Sequence, residues 1–296
     1  MSTLQHKIDF VALVTVTKAN CNGDPLDGNR PRCDYSGYGE ISDVCIKRKI
    51  RNRMQDMGYP IFVQSEDRCA DGCKSLAERA KKVLDGLNDD EKAKKACETW
   101  LDVRTFGQLF AYEGKEGKDG KPKKGSGLSI GVRGPVSIHQ AVSVSPIEIE
   151  SMQITKSVNG NAVNKGENDS GKKAADRMGM KHFVRFGLYE IKGSINVQLA
   201  KKTGFSEEDA QVVKECLCTL FENDASAARP DGSMEVRKVY WWEHNCEIGQ
   251  YSSAQVHRSV RVTSTTDTPS CFEDYEIDEK ALHSLPGLEP QILVGR

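Results

Sequence analysis

Apolar positions fall into three kinds of run, and the first is continuous. Phe10-Val11-Ala12-Leu13-Val14-Thr15-Val16-Thr17 is rich in β-branched residues and short, the pattern of a strand covered on both faces. From Glu40 to Met57 the apolar residues Ile46, Ile50, Met54 and Met57 recur at helical spacing, which predicts an amphipathic helix. Lys74 to Leu87 and Asp89 to Trp100 alternate charge with Leu, Val and Ala and predict two more helices. Strand signals return at Val103 to Ala111, at Leu128 to Ile149 and at Phe183 to Leu199. Ser206, followed by Glu207-Glu208-Asp209, predicts the capped start of a helix running through Leu217, Leu220 and Phe221, and Val236 to Trp242 reads as a last strand.

Between the first strand and the first helix lies Asn20-Cys21-Asn22-Gly23-Asp24-Pro25-Leu26-Asp27-Gly28-Asn29-Arg30-Pro31-Arg32. Its Gly, Asn, Asp and Pro supply positive φ, side-chain turns and fixed φ in place of a core. At the exit of a strand such a loop presents N–H groups to a phosphate. The helix that follows adds charge, with five basic residues in Lys47-Arg48-Lys49-Ile50-Arg51-Asn52-Arg53. At about 100° per residue Lys47, Arg48 and Arg51 share a sector away from the apolar stripe, while Lys49 and Arg53 flank its other edge. A solvated face around a core-packed helix and a phosphate-binding face both fit this charge pattern.

The whole chain of 296 residues is nearly neutral, with 42 basic and 43 acidic residues, so phosphate binding must come from local clusters. Acid gathers at Glu273-Asp274-Tyr275-Glu276-Ile277-Asp278-Glu279. No apolar run reaches the roughly 20 residues that cross a bilayer, and the first six residues lack a signal-peptide pattern, so a cytoplasmic protein without a membrane partner is expected. Of ten cysteines, Cys69 and Cys73 are four apart with no second pair at zinc-finger distance, and the six histidines form no i, i+4 pair. Reduced thiols and no metal or other cofactor are expected.

The segments Asp9 to Thr17, Asn20 to Arg32, Gly39 to Arg53, Asp102-Val103-Arg104-Thr105-Phe106-Gly107, Val132-Arg133-Gly134-Pro135-Val136-Ser137-Ile138 and Gly187-Leu188-Tyr189 together resemble the repeated backbone subunit of CRISPR Cascade, type I-C. The likeness runs to about residue 245. It implies a non-catalytic protein that polymerises head to tail along CRISPR RNA (crRNA), alongside other Cascade subunits, and presents guide bases to target DNA. Stripped of excursions, the predicted order is β-α-β-β-α-β, so the expected fold is α+β with a ferredoxin-like, RRM-like core. The expected parts are residues 1–57 as the first part of a palm, 58–100 as a helical insertion or fingers, and 101–151 as palm strands. A thumb hairpin at 152–181, the remaining palm at 182–245 and a C-terminal tail at 246–296 complete the division. The tail is expected to pack on the surface or on a neighbouring subunit.

Met152 to Met180 has few apolar anchors and reads either as a projecting hairpin or as a disordered loop. The resemblance implies the hairpin, which wedges between guide nucleotides, with Met152 as an apolar wedge, Thr155 and Lys156 near its base, and Arg177 and Lys181 on its return. Expected RNA contacts elsewhere are Asn20, Asn22, Gly23, Asp24, Arg30, Arg32, Lys47, Arg48, Arg51, Arg133 and Gln140. The run Glu113 to Gly127 is a solvated Gly/Lys loop, with Lys121, Lys123 and Lys124 as candidate contacts to DNA backbone. The competing reading is an endoribonuclease that processes precursor crRNA. Asp24, Asp27 and Asp34 would then bind metal or act as bases, with His6 or His139 as general acid or base. Lone carboxylates in a turn-rich loop are more often turn formers, and nothing in the spacing pairs either histidine with a nucleophile.

Overall fold

The computed structural model describes residues 2–112, 128–155 and 178–296. Along the chain, β1 (Ile8–Ala19) leads through the short ribbon β2 (Gly23–Asp24) and β3 (Arg30–Pro31) to β4 (Tyr38–Ile41) and α1 (Asp43–Asp56). Helices α2 (Leu76–Leu84), α3 (Asp89–Thr99) and α4 (Leu101–Phe106) precede β5 (Gly107–Tyr112), β6 (Leu128–Arg133), β7 (Val136–Ile138), β8 (Ala141–Pro146), β9 (Ile149–Thr155) and β10 (Met178–Ile195). The chain continues with α5 (Val197–Thr203), α6 (Glu207–Cys218), β11 (Met234–Glu243), α7 (Ser253–Ser259), β12 (Val262–Ser264), β13 (Tyr275–Ile277), α8 (Glu279–Leu282) and β14 (Gln291–Val294).

The central sheet runs β14-β11-β1-β10-β8-β4, with β7 and β9 also paired to β10. Every pairing in it is antiparallel. The fold is therefore mixed α+β around an antiparallel sheet. The unbroken apolar run of β1 is explained by burial on both faces. Phe10, Ala12, Val14 and Val16 join the core built with Ile46, Ile50 and Met54 of α1 and Val213 and Leu217 of α6. Val11 and Leu13 point the other way, into a core with Val256, Tyr275, Leu282, Leu285 and Leu288. Residues 246–296, expected as a tail, thus supply the layer that covers the sheet's second face. A third core gathers Phe62, Ala80, Leu84, Ala96, Trp100, Phe110 and Ile130, joining the helical insertion to the β5–β6 ribbon.

The structure corrects several expected boundaries. Val103 to Ala111 begins as helix: Leu101, Val103 and Thr105 are buried on α4, and Gly107, at φ +80°, ends it. Burial overrides the β-branched preference there. A Cβ on Gly107 would sit 2.3 Å from the Val132 carbonyl oxygen, so the bend between α4 and β5 requires glycine. The expected strand to Leu199 stops at Ile195, because the Asn196 side chain accepts from Leu199 N and starts α5. The basic helix starts at Asp43, capped by Ser42, because Glu40 and Ile41 belong to β4. The helix beginning at Ser206 starts as expected, with a reciprocal capping box between Ser206 and Asp209, but ends at Cys218, so Leu220 and Phe221 lie in the turns after it. Val236 to Trp242 is not the last strand, since β14 pairs with β11 along the sheet edge. No helix among the described residues is long and apolar enough to cross a membrane.

Candidate nucleic-acid interface

The loop after β1 spends its polar side chains on its own shape. Buried Asn20 donates through Nδ2 to the Asn29 carbonyl at 2.6 Å, and Asn22 Oδ1 accepts from Ser42 N at 2.8 Å. Asp24 Oδ1 accepts from Leu26 N at 3.0 Å and faces Arg32 Nη2 at 3.3 Å. Gly28 and Asn29 take positive φ between β2 and β3, and a Cβ on Gly23 would lie 2.0 Å from Asn29 Oδ1. What remains on the surface is Pro25 to Asn29, with Arg30 and Arg32 each more than a third exposed.

Two of the three acids of the competing reading, Asp24 and Asp34, are turn formers here. Asp34 Oδ1 accepts from Ser36 N at 2.8 Å and Tyr38 N at 2.9 Å, in the same manner as Asp24. Asp27 is largely exposed, 3.9 Å from Arg30 Nε. Among the described residues no group of three or more His, Cys, Asp or Glu is arranged to hold a metal ion. His6 is exposed at the N-terminal end, and exposed His139 meets the buried His257 ring edge-on at 5.5 Å.

Helix α1 divides its five basic residues between two tasks. Lys49 is buried against Asp224, and Arg53 donates to Thr219 Oγ1 at 3.1 Å, Asp56 at 3.1 Å and Glu222 at 2.9 Å. These two fasten α1 to the segment after α6. Lys47, Arg48 and Arg51 lie on the other side, as the helical sector predicts. Lys47 pairs with Asp43 at 2.9 Å and holds that carboxyl below the usual carboxylate range. Arg51 donates Nε to Asp102 Oδ2 at 3.1 Å and lies 5.1 Å from the Phe106 ring centroid. Arg48 donates Nη1 to the Val63 carbonyl at 2.8 Å and takes no carboxylate partner among the described residues. Burial lowers its pKa, and the neighbouring Arg51 charge lowers it further.

Pairing places the remaining candidates along one course. Ile41 sits opposite Ala141, which sets exposed Gln140 beside the start of α1. Gly107 sits opposite exposed Arg133, immediately after the Phe106 ring that underlies Arg51. At the other end, Arg30 Nη1 lies 3.5 Å from Ser151 Oγ, which is 2.8 Å from His182 Nδ1 at the base of the β9–β10 hairpin. On that hairpin Met152 is opposite Lys181 and Ile154 opposite Gly179, whereas Met180 and Met178 face Gln153 and Thr155 on the other side. Both sides carry exposed apolar surface, with Met152 53%, Ile154 49%, Met178 68% and Met180 55% accessible. Lys156, Arg177, Lys121, Lys123 and Lys124 lie outside the described residues. Sequence reasoning singled out the stretch 102–107 without a role for Asp102 or Phe106, and it missed Ser151 and His182, whose positions give no periodic signal.

The fold and this surface define an α+β protein in which a backbone-built loop, one side of a basic helix and a two-stranded apolar ribbon adjoin. A family model described as "CRISPR-associated protein Cas7" matches residues 6–280, and the chain belongs to that family. A protein of that name from Haloferax volcanii is 24% identical over 260 residues, covering 84% of this chain and 74% of its own length. Among solved structures, a chain from a "CRISPR RNA-guided surveillance complex" aligns with 80% of this chain and 68% of its own at 17% identity and a TM-score of 0.43. A second, titled "CRISPR RNA-guided surveillance complex, pre-nicking", aligns with 80% and 78% at 16% identity and a TM-score of 0.42.

Proposed function

We propose that this chain is the non-catalytic backbone subunit of a type I-C Cascade surveillance complex. Copies assemble head to tail along crRNA, grip its backbone irrespective of sequence, and leave guide bases exposed for pairing with target DNA. The observation that carries this reading is the continuity of the surface from the β9–β10 hairpin through Arg30 and the Asn22–Ser42 bond to Arg48 and Arg51. Two of the three carboxylates a nuclease would use, Asp24 and Asp34, are meanwhile engaged in turns. Membership of the Cas7 family supports the same reading.

In this reading residues 1–57, 101–151 and 182–245 form the palm, 58–100 the fingers and 152–181 the thumb. The antiparallel order β11-β1-β10-β8, with α1 preceding β8 and α6 preceding β11 in sequence, supports a ferredoxin-like palm. The thumb ribbon offers one apolar side to guide bases and the other to a neighbouring copy. Lys121, Lys123 and Lys124 are retained as contacts to target DNA. The protein works in the cytoplasm with other Cascade subunits. Co-expression with a CRISPR array followed by native mass measurement tests the proposal: an RNA-dependent assembly containing many copies is expected, and a monomer that cleaves repeat RNA overturns it.

A further inference from the structure

The stretch Asp102 to Gly107 meets four separate parts of the chain. Asp102, 1% exposed, accepts from Phe62 N at 2.7 Å through Oδ1, and from Val63 N at 3.0 Å and Arg51 Nε at 3.1 Å through Oδ2. Three N–H donors on one buried carboxylate fix its position. Arg104 grips Asp209 at the α6 N-terminus with two 2.8 Å bonds, anchoring α4 from the far side. Phe106 lies under the Arg51 guanidinium, and Gly107 and Gly134 pack backbone on backbone, with a Gly134 Cβ falling 2.4 Å from Gly107 N.

Arg48 and Arg51 are held by this junction rather than by each other. Val63 accepts Arg48 Nη1 through its carbonyl and donates its own N–H to Asp102, so both guanidiniums hang from one rigid connection. Two like charges one helical turn apart repel, and the Asp102 carboxylate already serves three donors. Neither Nη group of Arg51 finds an acceptor among the described residues, and the side chain keeps 13% of its surface accessible.

We propose that Asp102, with Phe106, is a positioning residue that holds Arg48 and Arg51 as a preformed seat for one phosphate of the RNA strand. The inference rests on the RNA-backbone reading above. Asp102 does not touch RNA; it fixes the Arg51 fork through Nε and leaves the Nη pair to a phosphodiester oxygen. Phe106 keeps the guanidinium plane from rotating. No base is contacted, so the seat is indifferent to sequence.

The test uses the full-length chain and a fluorescent single-stranded RNA in which the spacer sequence is varied. Affinity and its salt dependence are measured for Arg51→Ala, Asp102→Asn, Phe106→Leu and the double variant Arg51→Ala/Asp102→Asn, with Tm for each. Asp102→Asn keeps acceptor capacity for one backbone N–H but turns a donor toward Arg51. Arg51→Ala and Asp102→Asn should each weaken binding about tenfold and lower the log-log salt slope by about 0.7. The double variant should weaken binding by less than the two single losses combined, and Phe106→Leu should weaken binding without changing the slope. Asp102→Asn that lowers Tm while leaving affinity and slope untouched overturns the positioning role. Should Asp102→Asn fail to fold, wild-type affinity in Phe106→Leu overturns it instead. Unchanged affinity and slope in Arg51→Ala would instead remove this helix from the RNA path, and with it the reading on which the inference rests.

Discussion

Replacing Lys49 by Met should cost stability and spare RNA binding, although Lys49 lies beside Arg48 in a run of five basic residues. The change keeps the aliphatic stem, which matters because Lys49 also lies 5.5 Å from the Phe221 ring centroid. Its ammonium is 4% exposed against Asp224, whose side chain is 14% exposed and keeps Arg229 Nε at 3.0 Å. Stripping a buried carboxylate of its partner costs about 3–5 kcal/mol. With Arg229 retained, roughly half of that, about 2 kcal/mol, is expected. For a chain of this size that is a fall in Tm of about 3 °C. Lys47→Met is the control: its pair with Asp43 is 25% and 41% exposed, and an i,i+4 pair of that kind contributes about 0.3–0.5 kcal/mol. Thermal unfolding and RNA titrations at several salt concentrations separate the effects. Lys49→Met should lower Tm and leave the salt slope unchanged. A slope reduced by about 0.7 with Tm intact would refute the division of α1 into a fastening side and an RNA side.

Three further outcomes are expected. Met152→Ser with Ile154→Ser should leave the monomer's Tm within about 1 °C, because both side chains are half exposed, yet abolish RNA-dependent assembly seen by electron microscopy; unaltered assemblies would deny the hairpin its role. Asp24→Ala, Asp27→Ala and His139→Ala should leave RNA processing by the assembled complex unchanged, and loss of processing in any of them would favour the nuclease reading. Burial pushes the Asp9 carboxyl up, but bonds from His244 Nε2 and Lys7 Nζ, both at 2.8 Å, outweigh it and hold it below its ordinary value. A carboxyl depressed in the folded state stabilises above its unfolded pKa of about 3.9 and loses that contribution as pH falls through the folded value. Lys7→Met should therefore flatten the decline of Tm in acid, and parallel Tm curves for variant and wild type would contradict this.

Legibility in the sequence followed the range of the interactions involved. The β1 run, the α6 cap at Ser206 and the Ile46, Ile50 and Met54 positions of the α1 stripe are local patterns, and the structure shows them where the pattern puts them, whereas Met57 follows the helix end and is 37% exposed. The α1 sector containing Lys47, Arg48 and Arg51 was equally readable, because helical geometry alone separates it from Lys49 and Arg53. What holds those residues was not: Lys49 finds Asp224 and Arg53 finds Glu222, each more than 160 positions away, and no periodicity announces such pairs. Val103 and Thr105 carry strand preference, yet burial on a short helix ended by Gly107 decided their state. β14 is only four residues long, and its place beside β11 follows from the tail's course over the sheet rather than from its own composition. The Asn and Asp residues of the first loop were legible as turn formers, while their bonds to Ser42 N and Arg32 depend on how the loop closes.

The most direct test of a scaffold that grips backbone and leaves bases free is the mass of the assembly as the guide is lengthened. Each added protomer covers one further short segment and gains phosphate contacts plus a heterologous, open-ended protein interface. Native mass spectrometry of complexes carrying guides with spacers of several lengths should show stepwise increases of one 32.8 kDa chain, with the same steps for unrelated spacer sequences. A single fixed mass at every spacer length, or steps that depend on spacer sequence, would contradict the account.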